Sequence, residues 1–589
     1  MLKTLLKSVR EYKVPSILCP IIMIGEAVME IIIPFLMLKF ILPELECLSD
    51  PSEYPDYEIN MTKVIWTSIG MVACALFALL CGFAGGKLAA KASCGFAHNL
   101  REDMYNNLQT YSFANIDNFS TSSLITRITT DVTNVQNAYQ MCIRMLVRAP
   151  VLFISSIIMT CVIEPKMAGI FVCAAIVLGI IVSICMVKVT KPFRIMFRRY
   201  DDLNRVVQED LTGIRVVKSY VREEEEIKKM KHATEEVYTY SVKAEKILAI
   251  MNPFVTLIMY ISNIFILLVG SNMSLGFIDG NVSASQLQGL ITYSVQILTG
   301  VMMAAMCLNF ISLSKGSMER IYAVLTEKTT LPKATNPVYE VATGDIEFDN
   351  VDFVYSQKAD VKVLKNINLS IKAGETVGVI GATGSGKSSL VSLIPRLYDA
   401  AEGTVKVGGV DVREYNLDAL RSKVAMVLQK NVLFSGTVKE NLLWGDENAT
   451  DEEIQEACRE ACADEFIQQL PGGYDYDLGQ GGVNVSGGQK QRLCIARALL
   501  KKPKVIIFDD STSAVDTKTD AQIRDALRKH APETTKIIIA QRISSVQDAD
   551  KIIVLDEGEI TGIGKHDELL ASNEIYREVY ESQTGGTLA

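Results

Sequence analysis

Six long apolar stretches lie before residue 315 of this 589-residue chain, and they restrict its fold more than any other feature. A helix needs about 20 apolar residues to cross a bilayer, because the hydrocarbon is about 30 Å thick and each residue rises about 1.5 Å. The stretches cover residues 14–42, 64–86, 141–163, 167–187, 247–270 and 287–313. A buried core helix would explain any one of them, but the six together predict a membrane domain of six spanning helices.

The distribution of lysine and arginine predicts which ends of these helices face the cytosol. Positive charge accumulates in cytoplasmic loops; this chain begins MLKTLLKSVREYK and continues after the fourth stretch with the basic run KVTKPFRIMFRR. We therefore expect both termini and the connections 87–140 and 188–246 on the cytosolic side of the cytoplasmic membrane. These connections contain one proline, Pro192, so they predict long helical extensions of the spans. Arg144 and Arg148 would then lie at the inner membrane surface.

Composition argues against nucleic acid as a partner. The net charge is −9, whereas duplex binding depends on cations that neutralise phosphates. The 13 cysteines show neither paired nor metal-ligand spacing, so they are interpreted as free thiols. A hydrophobic content of 49% beside 22% charged residues indicates a strongly apolar part joined to an ordinary soluble part.

The soluble part begins near residue 344, where short apolar strands alternate with helical segments, as in an α/β domain with a largely parallel sheet. Within it, GATGSGKS at 381–388 follows an apolar strand and precedes a helix-forming run, which is the context of a phosphate-binding loop. Its glycines let backbone N–H groups close on phosphates, and the helix N-terminus adds positive charge. The predicted ATP contacts here are Gly381, Thr383, Gly384, Ser385, Gly386, Lys387, Ser388 and Ser389.

Two of these residues have distinct predicted roles: Lys387 reaches the β- and γ-phosphates, and the Ser388 hydroxyl ligates Mg²⁺. The strand VIIFDD at 505–510 ends in two carboxylates, and its spacing makes Asp509 the second magnesium-side residue. The expected fold is therefore an α-helical membrane domain, with six transmembrane helices and long cytosolic extensions, fused to an α/β phosphate-loop ATP-binding domain. The expected ranges are 1–320 for the membrane domain, 321–343 for a linker and 344–589 for the ATP-binding domain.

Further motifs give the chain a family resemblance over nearly its whole length: it resembles an ABC exporter half-transporter. VSGGQKQR at 485–492 is similar to the family signature, and SAVD at 513–516 is similar to its D-loop. The resemblance implies that Tyr355 stacks on adenine and that Gln429 contacts the Mg²⁺ site. It also implies that two such domains pair head to tail, so that each signature, here Ser486, Gly487, Gly488 and Gln489, closes on the other subunit's ATP. Residues 113–119 and 209–220 resemble the cytosolic turns that dock on nucleotide domains.

The sequence departs from the family at two catalytic positions. Asp510 stands where the family has a glutamate that aligns the attacking water, and Gln541 stands in place of its switch histidine. The shorter carboxylate is withdrawn by about 1 Å, a displacement that can cost about 100-fold in rate. An amide can hydrogen-bond phosphate but carries neither proton nor positive charge. Neutral drift in a slow but working enzyme is the alternative to a specialised role.

This combination resembles the degenerate-site subunit of heterodimeric bacterial multidrug exporters, with a second half-transporter as partner. Two other functions stay open: a homodimeric exporter of lipid or peptide with slow hydrolysis, and a channel or sensor gated by ATP. Adjacent genes would separate the first two.

The transported compound is poorly encoded in the sequence. Glu26 and Glu30 share a face of the first span, where they would attract a cationic substrate, form a polar contact between helices or lie near the outer headgroups. Met302, Met303 and Met306, with Tyr293 and Gln296, would line an adaptable cavity or pack between helices, and packing is favoured.

Overall fold

The computed structural model describes residues 1–44, 60–275, 282–355, 361–510 and 516–584. By its internal contacts the chain divides into two compact units. The membrane unit comprises Met1–Gln109 and Thr121–Glu327, and the nucleotide unit comprises Thr110–Ser120 and Lys328–Ala589. The domain boundaries expected from the sequence, at residues 320 and 344, stay a prediction.

The membrane unit is helical in all its regular structure that is described. Up to residue 326, the helices whose bounds lie within the described residues are α1 (Leu2–Leu5), α2 (Lys13–Leu36), α3 (Met61–Gln109), α4 (Phe113–Asn118, in the nucleotide unit), α5 (Thr121–Thr126), α6 (Val132–Met141), α7 (Val147–Ile163), α8 (Pro165–Ser219), α9 (Glu223–Ser274) and α10 (Ala284–Thr326). A 3₁₀ segment covers Leu6–Tyr12, and wider π turns cover Met37–Ile41, Arg127–Asp131 and Cys142–Leu146.

Six of the described helical segments are long and apolar enough to cross a membrane, as the sequence predicts. They are Leu2–Glu44, Met61–Gln109, Thr121–Ile163, Pro165–Ser219, Pro253–Ser274 and Ala284–Thr326. The predicted extensions are present too: α3 has 49 residues, α8 has 55 and α9 has 52. A helix pairs most of its backbone groups internally, and the membrane interior requires that these groups find partners within the protein.

Local sequence explains where these helices begin. Ser283 caps α10: its hydroxyl accepts a hydrogen bond from the N–H of Gln286, whose side chain accepts one from the N–H of Ser283. At the start of α8, the Glu164 side chain accepts from the backbone of Lys166, and Pro165 takes the first helical position, which needs no N–H donor.

Side chains of α10 hold the first span in place. Tyr293 is fully buried, and its hydroxyl donates to the carbonyl of Ile31 at 3.0 Å. The amide of Gln296 donates to the carbonyl of Glu30 at 3.2 Å. These two residues therefore make interhelical contacts. Met302 and Met306 are exposed and Met303 is half-buried, so the cavity interpretation stays open for the methionines.

The described residues of the nucleotide unit form two sheets. Its strands are β1 (Ile346–Phe353), β2 (Leu364–Ile371), β3 (Thr376–Ile380), β4 (Glu402–Val407), β5 (Val410–Asp411), β6 (Val424–Val427), β7 (Val505–Asp509), β8 (Thr535–Ile539), β9 (Lys551–Asp556) and β10 (Glu559–Gly564). The smaller sheet is antiparallel, in the order β2-β1-β4-β5. The larger sheet has the order β10-β9-β3-β8-β7-β6 and is parallel except at β10.

Helices surround these sheets. They are α11 (Lys387–Ser392), α12 (Leu417–Lys423), α13 (Val438–Leu442), α14 (Asp451–Glu460), α15 (Asp464–Gln469), α16 (Gly487–Leu500), α17 (Thr517–His530), α18 (His566–Ser572) and α19 (Glu574–Thr584). Strands β7 and β8 are buried along their whole length, as expected for parallel strands covered on both faces. Because β3 and β7 both pair with β8, the chain segments that follow β3 and β7 meet at one edge of the sheet.

The segment Thr110–Ser120, which contains α4, belongs to the nucleotide unit by its contacts. The Asn115 side chain donates to the carbonyl of Lys328 and accepts from the N–H of Thr330. The hydroxyl of Tyr398 donates to Asp117 at 2.7 Å. These contacts agree with the docking role that the sequence predicts for residues 113–119.

Arg396 links several parts of the nucleotide unit from a completely buried position. Its guanidinium forms a two-point ion pair with Asp399 and donates to the carbonyls of Pro332 and Arg413. A buried arginine is tolerated only when its donors are satisfied in this way.

Replacing Arg396 with alanine should lower the free energy of unfolding of the nucleotide unit by about 3 kcal/mol, because the substitution leaves Asp399 and two carbonyls without their donor. Urea unfolding of the detergent-solubilised full chain, followed by Trp444 fluorescence in a Trp66→Phe background, measures this. The exposed Arg459 provides the control, and Arg459→Ala should change the value by less than about 0.5 kcal/mol. Equal unfolding midpoints for the two variants would show that the buried contacts of Arg396 do not stabilise the nucleotide unit.

Candidate functional site

The predicted phosphate loop lies between the end of β3 and the start of α11. Gly384 and Gly386 have φ angles of 88° and 96°, which favour glycine. A Cβ on Gly381 would lie 2.0 Å from the carbonyl oxygen of Leu555. The glycines therefore let the backbone turn tightly and approach its neighbours, so that its N–H groups can close around phosphates.

Lys387 lies over this loop. Its Nζ donates to the carbonyls of Gly381 and Ala382 at 2.9 and 2.7 Å. Burial lowers the pKa of Lys387, and the nearby carboxylates of Asp510 and Asp509 oppose that shift. A half-buried ammonium held at the mouth of the loop is suited to bind phosphate oxygens.

Ser388 and Asp509 meet where α11 faces the end of β7. The Ser388 hydroxyl donates to Oδ1 of Asp509 at 2.7 Å. Burial raises the pKa of Asp509, and this hydrogen bond opposes the shift. A hydroxyl and a carboxylate in contact are the hard oxygen ligands that Mg²⁺ prefers, so the two residues fit the predicted metal position.

Asp510 is held by two amides that are distant in the chain. Nε2 of Gln541 donates to Oδ2 of Asp510 at 2.6 Å, and Nε2 of Gln429 donates to the same oxygen at 3.2 Å. Asp510 is buried, and its φ of 48° lies in the left-handed region that aspartate tolerates. The structure thus brings together both positions that depart from the family pattern, with Gln429 on the same carboxylate oxygen as Gln541.

Tyr355 lies beside the phosphate loop with its side chain partly exposed. Its hydroxyl shares a hydrogen bond of 2.8 Å with Ser389, and its ring makes edge contacts with Phe353 and Tyr398. The ring is fixed from one side and is 48% exposed, which suits it to stack on a planar base.

The signature residues form an exposed helix start. Ser486 caps α16 reciprocally with Gln489, and a Cβ on Gly487 would meet nothing within 4 Å. The 14-residue helix directs its N-terminal N–H groups outward, where they favour anions. Among the described residues, no hydrogen bond joins Ser486, Gly487 or Gly488 to the phosphate loop of the same chain.

Residues 513–515 of the predicted D-loop lie outside the described residues. Asp516 is described, and its carboxylate accepts from the backbone of Thr519 and so caps α17.

Sequence reasoning missed two residues of the site. Tyr398 contacts Tyr355 by its ring and Asp117 by its hydroxyl. Gln583 of α19 donates to the carbonyl of Gln541 and accepts from the N–H of Ile543, which fixes the Gln541 turn. Neither residue belongs to a spaced motif, so the sequence carries no signal for them.

Replacing Lys387 with alanine should weaken ATP binding at this loop by about 10-fold or more, because a charge-assisted contact to phosphate contributes about 1.5–3 kcal/mol. Titration of the purified full chain with a fluorescent ATP analogue measures the change. Lys372 is exposed, and Lys372→Ala should bind as the wild type does. Equal affinities for both variants would remove Lys387 from the phosphate site.

Comparisons with known proteins agree with this geometry. Residues 16–302 match the profile of the ABC transporter transmembrane region, and residues 364–513 match the ABC transporter profile. YfiB of Bacillus subtilis, an uncharacterized ABC transporter ATP-binding protein, is 35% identical over 88% of this chain and 90% of its own length. A putative multidrug export ATP-binding/permease protein of Staphylococcus aureus is 31% identical over 84% of this chain and 85% of its own.

The fold is also that of a solved protein. The structure of a bacterial Atm1-family ABC exporter with ATP bound superimposes with a TM-score of 0.82 at 23% identity, covering 98% of this chain and 99% of that one. The chain, with six spanning helices joined to a phosphate-loop nucleotide unit, belongs to the ABC transporter family.

Proposed function

We propose that this chain exports lipophilic compounds across the cytoplasmic membrane, as the subunit of a heterodimer whose own ATP site binds ATP and hydrolyses it slowly. One observation carries the proposal: the Asp510 carboxylate is held by the amides of Gln541 and Gln429, beside an intact phosphate loop. The nucleotide-binding parts are complete, and the residues that would activate water are replaced.

Slow hydrolysis follows from what these side chains can do. The attacking water must be oriented toward the γ-phosphorus by a carboxylate at hydrogen-bond distance. Aspartate is one methylene shorter than glutamate, and the two amide donors on Oδ2 of Asp510 would compete with the water for that oxygen. Gln541 can donate a hydrogen bond to a phosphate oxygen but cannot supply positive charge as charge develops.

Mg²⁺ would be held by Ser388, Asp509 and Gln429, together with phosphate oxygens of ATP. It would neutralise charge on the phosphates. In this chain, Lys387 and the loop N–H groups then keep the triphosphate in place while little is hydrolysed.

The signature supports a division of labour between two subunits. Ser486 is an exposed cap at a helix N-terminus that does not bond to its own phosphate loop among the described residues. In the proposed heterodimer, it closes on the partner's ATP, and most hydrolysis occurs at that composite site. In this proposal, both termini face the cytosol. The name of the Staphylococcus aureus relative, a putative multidrug export protein, supports a lipophilic cargo.

Ser486→Arg should abolish ATPase activity of the assembled heterodimer, because a bulky residue displaces the N–H groups that would hold the partner's γ-phosphate. Asp510→Glu combined with Gln541→His should change the rate less than about twofold, since this chain's site still faces the partner's signature. Steady-state ATPase rates of the purified complex compare the two, with Ser422→Arg at an exposed position of α12 as control. A large gain from the double substitution would instead indicate a homodimer limited by these residues.

The direction of transport gives an independent check. Inside-out vesicles that contain the complex should accumulate a neutral lipophilic dye when ATP and Mg²⁺ are added outside, because the nucleotide units then face the bath. Right-side-out vesicles loaded with ATP should lose the dye. The opposite pattern would show import.

A further inference from the structure

Three charged side chains meet inside the predicted spans of α2 and α7. Nη1 of Arg148 lies 3.0 Å from Oε1 of Glu26, and Nη2 lies 2.7 Å from Oε2 of Glu30. The sequence left open whether Glu26 and Glu30 form a polar contact between helices. That contact is present, because both glutamates pair with Arg148. Charges within a membrane span are costly, so such a group is a candidate functional site.

The backbone around Glu30 is held in position by α10. Pro34 has no N–H, so the carbonyl of Glu30 lacks its usual helical donor. Gln296 supplies that donor at 3.2 Å, and the hydroxyl of Ser156 in turn donates to Gln296 at 3.3 Å. Glu30 is therefore presented from a helix turn that three helices fix.

The triad carries one more negative than positive charge. The carboxylates of Glu26 and Glu30 each use one oxygen in the ion pair with Arg148. Oε2 of Glu26 is buried and makes no hydrogen bond with the described residues. Arg144 lies one helical turn before Arg148. It makes no ion pair with the described residues, and its Nε atom is buried without a hydrogen-bond partner among them.

Glu30 is more exposed than the other two side chains of the triad. Glu26 and Arg148 are 16% and 19% exposed, whereas Glu30 is 44% exposed. Glu30 is therefore the accessible carboxylate of the triad, and Glu26 beside it is a carboxylate with one buried oxygen that lacks a hydrogen bond among the described residues.

We propose that Glu26, Glu30 and Arg148 form a binding site for amphiphilic organic cations, with Glu30 as the accessible carboxylate and Arg148 as the internal counter-ion. This assignment rests on the proposed transport function and narrows its substrate class. A bare metal ion would need about six oxygen ligands, and the triad has two oxygens that Arg148 does not use. An organic cation needs one carboxylate and can keep its apolar body in the spanning region.

The test uses an isosteric pair of opposite charge: radiolabelled tetraphenylphosphonium and tetraphenylborate. The full-length chain, in the complex that it forms in its native membrane, is placed in phosphatidylcholine nanodiscs, and saturable binding is measured by equilibrium dialysis. Phosphatidylcholine carries no net charge, so the bilayer surface does not concentrate the cation.

The wild type should bind the phosphonium saturably and bind the borate at least about 10-fold more weakly. Glu30→Gln should lower phosphonium affinity by at least about 10-fold, because it removes the accessible charge. Glu30→Asp keeps that charge and should stay within about threefold of the wild type, which separates loss of charge from loss of folding. Glu164→Gln, an acid at the start of α8, is the matched control and should leave binding unchanged.

Three results would each overturn the assignment: wild-type affinity in Glu30→Gln, equal binding of the borate, or no saturable binding of the phosphonium by the wild type. In each of these cases the triad would be a fixed interhelical ion pair only. ATP-driven uptake of the neutral dye by the wild type tests the transport function separately, so failure of the cation site and failure of transport are distinguishable.

Discussion

Backbone N–H and C=O groups in hydrocarbon must find their partners within the protein, and the membrane unit depends on this requirement. Long helices meet it over each span, and α3, α8 and α9 continue as helices far beyond the apolar windows. Where Pro34 removes a donor, the side chain of Gln296 supplies one. The same repair ties α2 to α10 at the turn that carries Glu30, so a backbone constraint also positions the charged triad.

In the nucleotide unit, the order of the parallel strands positions the residues of the candidate site. Since β3 and β7 flank β8, the loop after β3 and the carboxylates after β7 meet at one sheet edge, although more than a hundred residues separate Ser388 from Asp509. The glycines allow the loop to close, and burial disfavours the charged forms of Lys387 and Asp509 by lowering the pKa of the first and raising that of the second. The predicted ATP-binding and metal positions thus follow from sheet topology together with a short local motif.

Both units hold buried charge by specific partners, and the partners determine what each site can do. Gln541 and Gln429 donate to one oxygen of Asp510, the carboxylate that is predicted to orient water. Arg148 pairs with one oxygen on each of two glutamates, Glu26 and Glu30. In each case, buried charge is retained because specific side chains satisfy it.

The sequence alone determined the six spans, their helical extensions, the α/β nucleotide unit and the residues of the phosphate loop, because these depend on local periodicity and on short motifs with fixed spacing. The functional roles of the loop residues and the domain boundaries stay predictions. The tertiary structure alone decided that Glu26 and Glu30 share Arg148, 118 residues from Glu30, and that Gln429 and Gln541 meet on one oxygen of Asp510, 81 and 31 residues away. The tertiary structure also showed that Tyr398 contacts the ring of Tyr355 and that Gln583 donates to the carbonyl of Gln541. Such pairings arise from the packing of helices and strands that are distant in the chain, and no local pattern encodes which distant side chains will meet.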